Sequence, residues 1–267
     1  MPCLHRNPQK RYTYALVVVI AASAATALAQ RSPVVYPKPL PADITPRIQL
    51  FQCGDFTGHF GPLDYRTADP RDRKVVQEFH LDMEIQTFML GRVEGRNRAG
   101  TGGVAGGFQY TLKAFPNHPV ALKAMEELGR KLNSEQPQRT SYPLECWYIR
   151  AFMITPDDPI VRAMYGIYLS YRERAEEAQH NLDIADQGLQ YSRTMQYLMG
   201  EARFRLQQYD RAQLNAMRAT SLGFPGDSLQ KRLQEGGHWN PQLQLPADVS
   251  EARPGEPPTS AASAGDK

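Results

Sequence analysis

The chain has 267 residues, 41% hydrophobic and 22% charged, which is enough for one good-sized domain or two small ones and unlike a wholly disordered or a polytopic membrane protein. Its formal net charge of +3 is carried by Arg6, Lys10 and Arg11, and from residue 30 onward 28 basic residues face 28 acidic ones. With no cationic surplus to neutralise phosphates, the balance argues against nucleic acid and against an anionic membrane surface as partners.

Those three cations precede an apolar run at residues 15–29 that ends in the small-x-small triplet Ala27-Leu28-Ala29, the pattern of a secretory signal peptide cleaved after Ala29. The run falls short of the roughly 20 residues that span a bilayer, and Gln30 stands where a lipid-accepting cysteine would come after the cleavage site. No later stretch approaches spanning length. The mature chain is therefore expected to be exported, periplasmic or secreted, with no membrane insertion after cleavage. Cys3 leaves with the signal, and Cys53 and Cys146 remain in a compartment where disulfides persist. They can pair or stay separate thiols, and their spacing does not decide between the two.

Residues 30–47 hold Pro33, Pro37, Pro39, Pro41 and Pro46, which predicts an extended linker. Residues 48–107 read as an N-terminal cap segment, helical or mixed. Aromatics and turn formers crowd residues 51–65; Asp69-Pro70 predicts a helix over 71–79, with a strand over 75–81 as the alternative, and Asp82 predicts a helix over 83–90. The glycine-rich stretch 91–107 reads as a flexible loop.

From 108 to 235 the sequence repeats itself. Gly166 and Gly200, Ala178 and Ala212, and Ala185 and Ala219 share one spacing, a period of about 34 residues, and Ala151 extends the last series backward. Each unit predicts a turn, a helix, a short break and a second helix with small residues on its inner side. Asp157-Asp158-Pro159 and Ser192 supply helix starts, and Pro225-Gly226-Asp227 closes the array. Residues 119–132 and 143–154 form a degraded earlier unit with an overlong connection, and 108–115 looks like the last helix of a half unit. Residues 236–267 are expected to be a disordered tail, since 248–267 lack any large aliphatic after Val249.

A helix-turn-helix period of this length with small residues at these points resembles the tetratricopeptide repeat. Gly166, Ala178, Leu182 and Ala185 in one unit, and Gly200, Tyr209, Ala212, Ala216 and Ala219 in the next, fall on that family's small or apolar positions. Arg162 and Gln196 depart from it where a bulky aromatic is favoured, and Arg203 where tyrosine is usual. Segments 61–66 and 110–119 are also similar to a group of exported bacterial repeat proteins without established chemistry. The resemblance implies an all-α fold, a short superhelix of about three repeats in which the first helix of each unit lines a concave groove. It places Ile160, Met164, Ile167 and Tyr171 beside Tyr197, Glu201, Phe204 and Arg205, a surface suited to a protein or peptide partner in the cell envelope. The alternative is that some of these side chains are buried.

No catalytic constellation, metal site or cofactor motif emerges. Ser228 and Lys231 have a nucleophile–lysine spacing but lack the companion motifs. The glycine run 100–107 lacks the lysine of a phosphate loop, and Cys53, His59 and His80 fit no compact zinc spacing. Glu126-Glu127 and Glu176-Glu177 are adjacent pairs that diverge on a helix. The chain is thus read as a binding scaffold and not an enzyme. The rival is an envelope enzyme or glycan-binding protein with a site in 48–107 using Asp55, His59, Asp64 or His80. The exported product should begin at Gln30, give or take two residues; an intact mass that retains the apolar run would contradict this reading.

Overall fold

Helix boundaries follow the punctuation of the sequence in a computed structural model that describes residues 38–51, 53–56, 60–93 and 103–246. The expected signal peptide and residues 30–37 of the expected linker lie outside the described residues, as do His59, residues 94–102 and residues 247–267. The described residues belong to one unit, 36–267. Among them every regular element is a helix, and none is long and apolar enough to cross a membrane.

Helices α7 (Pro159–Ser170) and α8 (Ala175–Asp186) form one pair, and α9 (Arg193–Arg205) and α10 (Tyr209–Ser221) form the next. Asp158 starts α7 by accepting the Ile160 amide at 2.9 Å, with Pro159 in the first turn where its missing donor costs nothing. Ser192 stands before α9, although its hydroxyl makes no cap bond. The pairs close at the repeated glycines. A Cβ on Gly166 would lie 2.8 Å from Leu182 Cγ, and one on Gly200 would lie 3.0 Å from Asn215 Cβ. Upstream, α5 (Pro119–Leu132) and α6 (Leu144–Ile154) form the looser unit, separated by loop 133–143. Helices α5, α7 and α9 pack side by side, whereas α6, α8 and α10 do not pack closely on one another, so the first helices form the inner row of a short array.

The positions that depart from the aromatic pattern are themselves periodic. Arg162 donates to Asn181 Oδ1 at 2.8 Å, and one period later Asn215 donates to Gln196 Oε1 at 2.5 Å, each a buried bond between paired helices. Arg203, also buried, reaches Asn215 at 2.6 Å and Asp186 at 2.5 Å. Polar cross-links replace ring packing here, and pairing matters because a buried donor left unmatched costs about 1–3 kcal/mol.

Three expectations need correction. Helix α4 (Gly103–Ala114) includes Gly103, Gly106 and Gly107, all buried, so this end of the glycine-rich stretch is core and not loop. Helices α2 (Pro70–His80) and α3 (Asp82–Met89) approach α4 so closely that a Cβ on Gly107 would lie 2.5 Å from the His80 carbonyl oxygen; the strand alternative over 75–81 is absent. The linker ends early: the chain turns at Pro41, Ile44 is 2% exposed, and Pro46 sits in the first turn of α1 (Thr45–Leu50). The first part of the expected tail is packed on the array. His238 stacks on Tyr209 with centroids 3.5 Å apart, and Asn240 exchanges two 2.7 Å bonds with the buried Gln213 side chain.

Residues 43–51, 53–56 and 60–65 lie as a strap on the array. Asp43 receives both terminal nitrogens of Arg162, at 2.5 and 2.9 Å, and Arg47 pairs with Glu177 at 2.5 Å. The Glu177 carboxyl is held down to about 2, first by Arg174 and then by Arg47. Cys53 is bonded to Cys146 on α6, with Cα atoms 5.2 Å apart. Beside it buried Arg150 donates to the Cys53 and Asp55 carbonyls at 2.8 and 3.0 Å and lies 4.2 Å from the Phe56 ring centroid. Asn117 then ties the strap's end: it accepts the Tyr65 amide and donates to Asp64 and Asp158, all at 2.8 Å. In the protein denatured without reductant neither Cys53 nor Cys146 should react as a free thiol, and replacing both by serine should cost about 2–4 kcal/mol by freeing a long loop in the unfolded state.

Candidate functional site

The inner row offers the surface that the repeat pattern points to, but much of the expected groove is filled. Met164 is 3% exposed and Ile167 is also buried, both within the main core, and Ile160 is half-buried against it. On α9, Tyr197, Glu201 and Phe204 are covered by the segment after α10. Helix α11 (Ser228–Glu235) buries Leu229 and Leu233 on the second pair. Its N-terminal Ser228 shares a 2.6 Å hydrogen bond with the Tyr197 hydroxyl, and Phe224 stacks on the Tyr197 ring at 4.2 Å. Arg232 pairs with Glu201 and lies 4.7 Å from the Phe204 ring centroid. Burial, with Glu201 beside it, raises the Tyr197 phenol above its ordinary value. Six of the eight expected residues are therefore packed or covered, for two reasons: the α7 side chains belong to the main core, and the terminal helix that caps the array also covers the α9 side chains.

The other two, Tyr171 and Arg205, come together in the open part. Tyr171 ends α7 and is 37% exposed. Arg205 from α9 lies 3.7 Å from its ring centroid and Arg130 from α5 lies 4.2 Å from it, so one side chain from each inner helix meets at this point. The two cations differ. Burial works against the Arg130 guanidinium, but Glu126 at 2.8 Å outweighs it and holds the charge more firmly than usual. Arg205 donates only to Ser170 Oγ, at 3.3 and 3.2 Å, and has no carboxylate within ion-pair distance among the described residues. Burial consequently lowers its pKa. Arg172 completes the surroundings, paired with Glu135 at 3.0 Å and Glu126 at 3.4 Å.

Arg130 and Arg172 were not legible as members of this site. Arg130 belongs to the degraded unit, where the long connection shifts α5 out of the register of the repeat, so counting one period back from α7 does not find it. Arg172 lies in the turn between α7 and α8, where the repeat pattern assigns no role.

Three of the rival site's four candidates are described, and each lies among local contacts. Asp64 is bound by Arg66 at 2.7 Å and by Asn117, while His80 stacks on Tyr110 at 3.6 Å beside α4. Asp55 lies beside Arg150 on the strap, and His59 is outside the described residues. Ser228 is engaged with Tyr197, and Lys231 with Asp227 at 3.0 Å. Among the described residues no three acidic, histidine or cysteine side chains converge as a metal site. Comparison with protein-family models, with curated proteins and with solved structures finds no match.

Because Tyr197 and Phe204 hold α11 in place, replacing both by alanine should lower the melting temperature by at least about 4 °C, the shift that a loss of about 1–2 kcal/mol gives in a chain of this size. An unchanged melting temperature would mean that these rings face solvent.

Proposed function

We propose that this chain is an exported scaffold of tetratricopeptide type that binds an extended or helical segment of a partner protein in the cell envelope. The observation that carries the reading is Arg205, a half-buried guanidinium against an exposed tyrosine and without its own carboxylate among the described residues, at the meeting point of three inner helices. A partner that supplies an acidic group to Arg205 and apolar surface to Tyr171 would satisfy both, and Arg and Tyr are the side chains that most often dominate binding interfaces. The Cys53–Cys146 bond fits an oxidising compartment and so supports export.

Replacing Tyr171 and Arg205 together by alanine should cut the recovery of specifically captured envelope proteins at least about tenfold, as expected for two interface anchors, while shifting the melting temperature by no more than about 3 °C. Equal recovery by both proteins would overturn the assignment of this surface.

A further inference from the structure

The second helix pair repeats the outer groove of the first without the segment that occupies it. In the first pair Asp43, Ile44 and Arg47 lie against α7 and α8, where Asp43 takes Arg162 and Arg47 takes Glu177 beside Asn181. Moving on by one period converts Glu177, His180 and Asn181 into Arg211, Leu214 and Asn215. These three line a cleft of about 370 Å³ between α8 and α10, and among the described residues none of the strap lines it.

The cleft is built around charge that its own residues do not balance. Asp183 pairs with both Arg203 and Arg211, and Asp186 pairs with Arg203 at 2.5 Å, so two carboxylates serve two guanidiniums. The third, Arg218, reaches only the Gln196 amide oxygen at 3.4 Å. Arg203 Nε, Arg218 Nε and Asp186 Oδ1 are buried without a hydrogen-bond partner among the described residues, and Arg203 itself is 3% exposed. Three guanidiniums against two carboxylates leave the cleft with one positive charge in excess among the described residues, and an anionic partner would balance it.

We propose that this outer cleft is a docking groove for an acidic segment of a partner protein, one that presents carboxylates four residues apart where the strap presents Asp43 and Arg47. The first carboxylate takes Arg218, which stands beside Gln196 as the guanidinium of Arg162 stands in the first pair. The second takes Arg211, because the change from Glu177 to Arg211 reverses the charge that the groove demands at the position of Arg47. The groove lies on the outer row and is separate from Tyr171 and Arg205 on the inner one, so either can fail without the other.

The strap itself supplies the probe. Two labelled peptides of residues 39–51, one unchanged and one carrying Arg47→Glu, are titrated into the full chain by fluorescence anisotropy. The Arg47→Glu peptide should bind about threefold tighter or better than the unchanged one. Arg211→Glu in the protein should reverse that order, and Arg211→Gln, a milder change at an exposed side chain, should bring the two peptides level. The same order in all three proteins, or no saturable binding of the Arg47→Glu peptide, overturns the proposal. Binding that appears only after removal of residues 247–267 also overturns it, in favour of the chain's own C-terminal segment as occupant.

Discussion

The backbones of α7 and α8 approach as closely as they do because residue 166 has no side chain. A Cβ there would meet Leu182 Cγ at 2.8 Å and the Ala178 carbonyl oxygen at 3.1 Å, and at Gly200 it would meet Asn215 Cβ at 3.0 Å as well as Leu229. Close backbones bring Arg162 within reach of Asn181 and Gln196 within reach of Asn215. The glycines cost helix propensity, about 1 kcal/mol each relative to alanine. Tight packing of a large apolar interface offsets that cost. The repeat is thus a contact requirement written twice, one period apart.

The inner row sets the outer one. With α5, α7 and α9 packed side by side, the second helices are left apart, and their separation opens grooves on the outer row. The strap occupies the first of these. Its hold comes chiefly from burial and covalency: full burial of an isoleucine such as Ile44 is worth about 1.5–3 kcal/mol, whereas a partly exposed ion pair such as Arg47 with Glu177 is worth about 0–1 kcal/mol. Arg150 adds direction, because its bonds to backbone carbonyls fix where the strap bends rather than how tightly it sits. At the far end α11 does for the last pair what the next repeat would have done, and in doing so it covers Tyr197 and Phe204.

The period made the helix pairs legible, since Gly166, Gly200 and the recurring alanines are contact positions that no surface requirement would repeat. Caps at Asp69 and Asp158 were legible for a local reason: each needs only its own side chain and the next amides. The features that escaped depend on partners distant in sequence. Gly103 to Gly107 have the composition of a loop, and only the approach of α2 and α3 makes them a buried helix start. The proline-rich segment around Pro41 and Pro46 reads as linker because nothing local reveals that Ile44 finds a pocket on the array. The filled groove had one available signal, Leu229 and Leu233 spaced four apart on a short polar helix, which marks an apolar edge that must lie on something. Tyr171 and Arg205 were legible by register alone, and the role of Arg130 was hidden by the irregular connection before α6.

The most direct measurement is the thermal stability of Gly166→Ala. In an ordinary helix interior the change stabilises by roughly 0.5–1 kcal/mol. If close approach at residue 166 sets the packing of the pair, the added methyl must push against Leu182 and the Ala178 carbonyl, and the melting temperature should fall by at least about 3 °C. A rise of a few degrees, the result that helix propensity alone would give, would contradict the account.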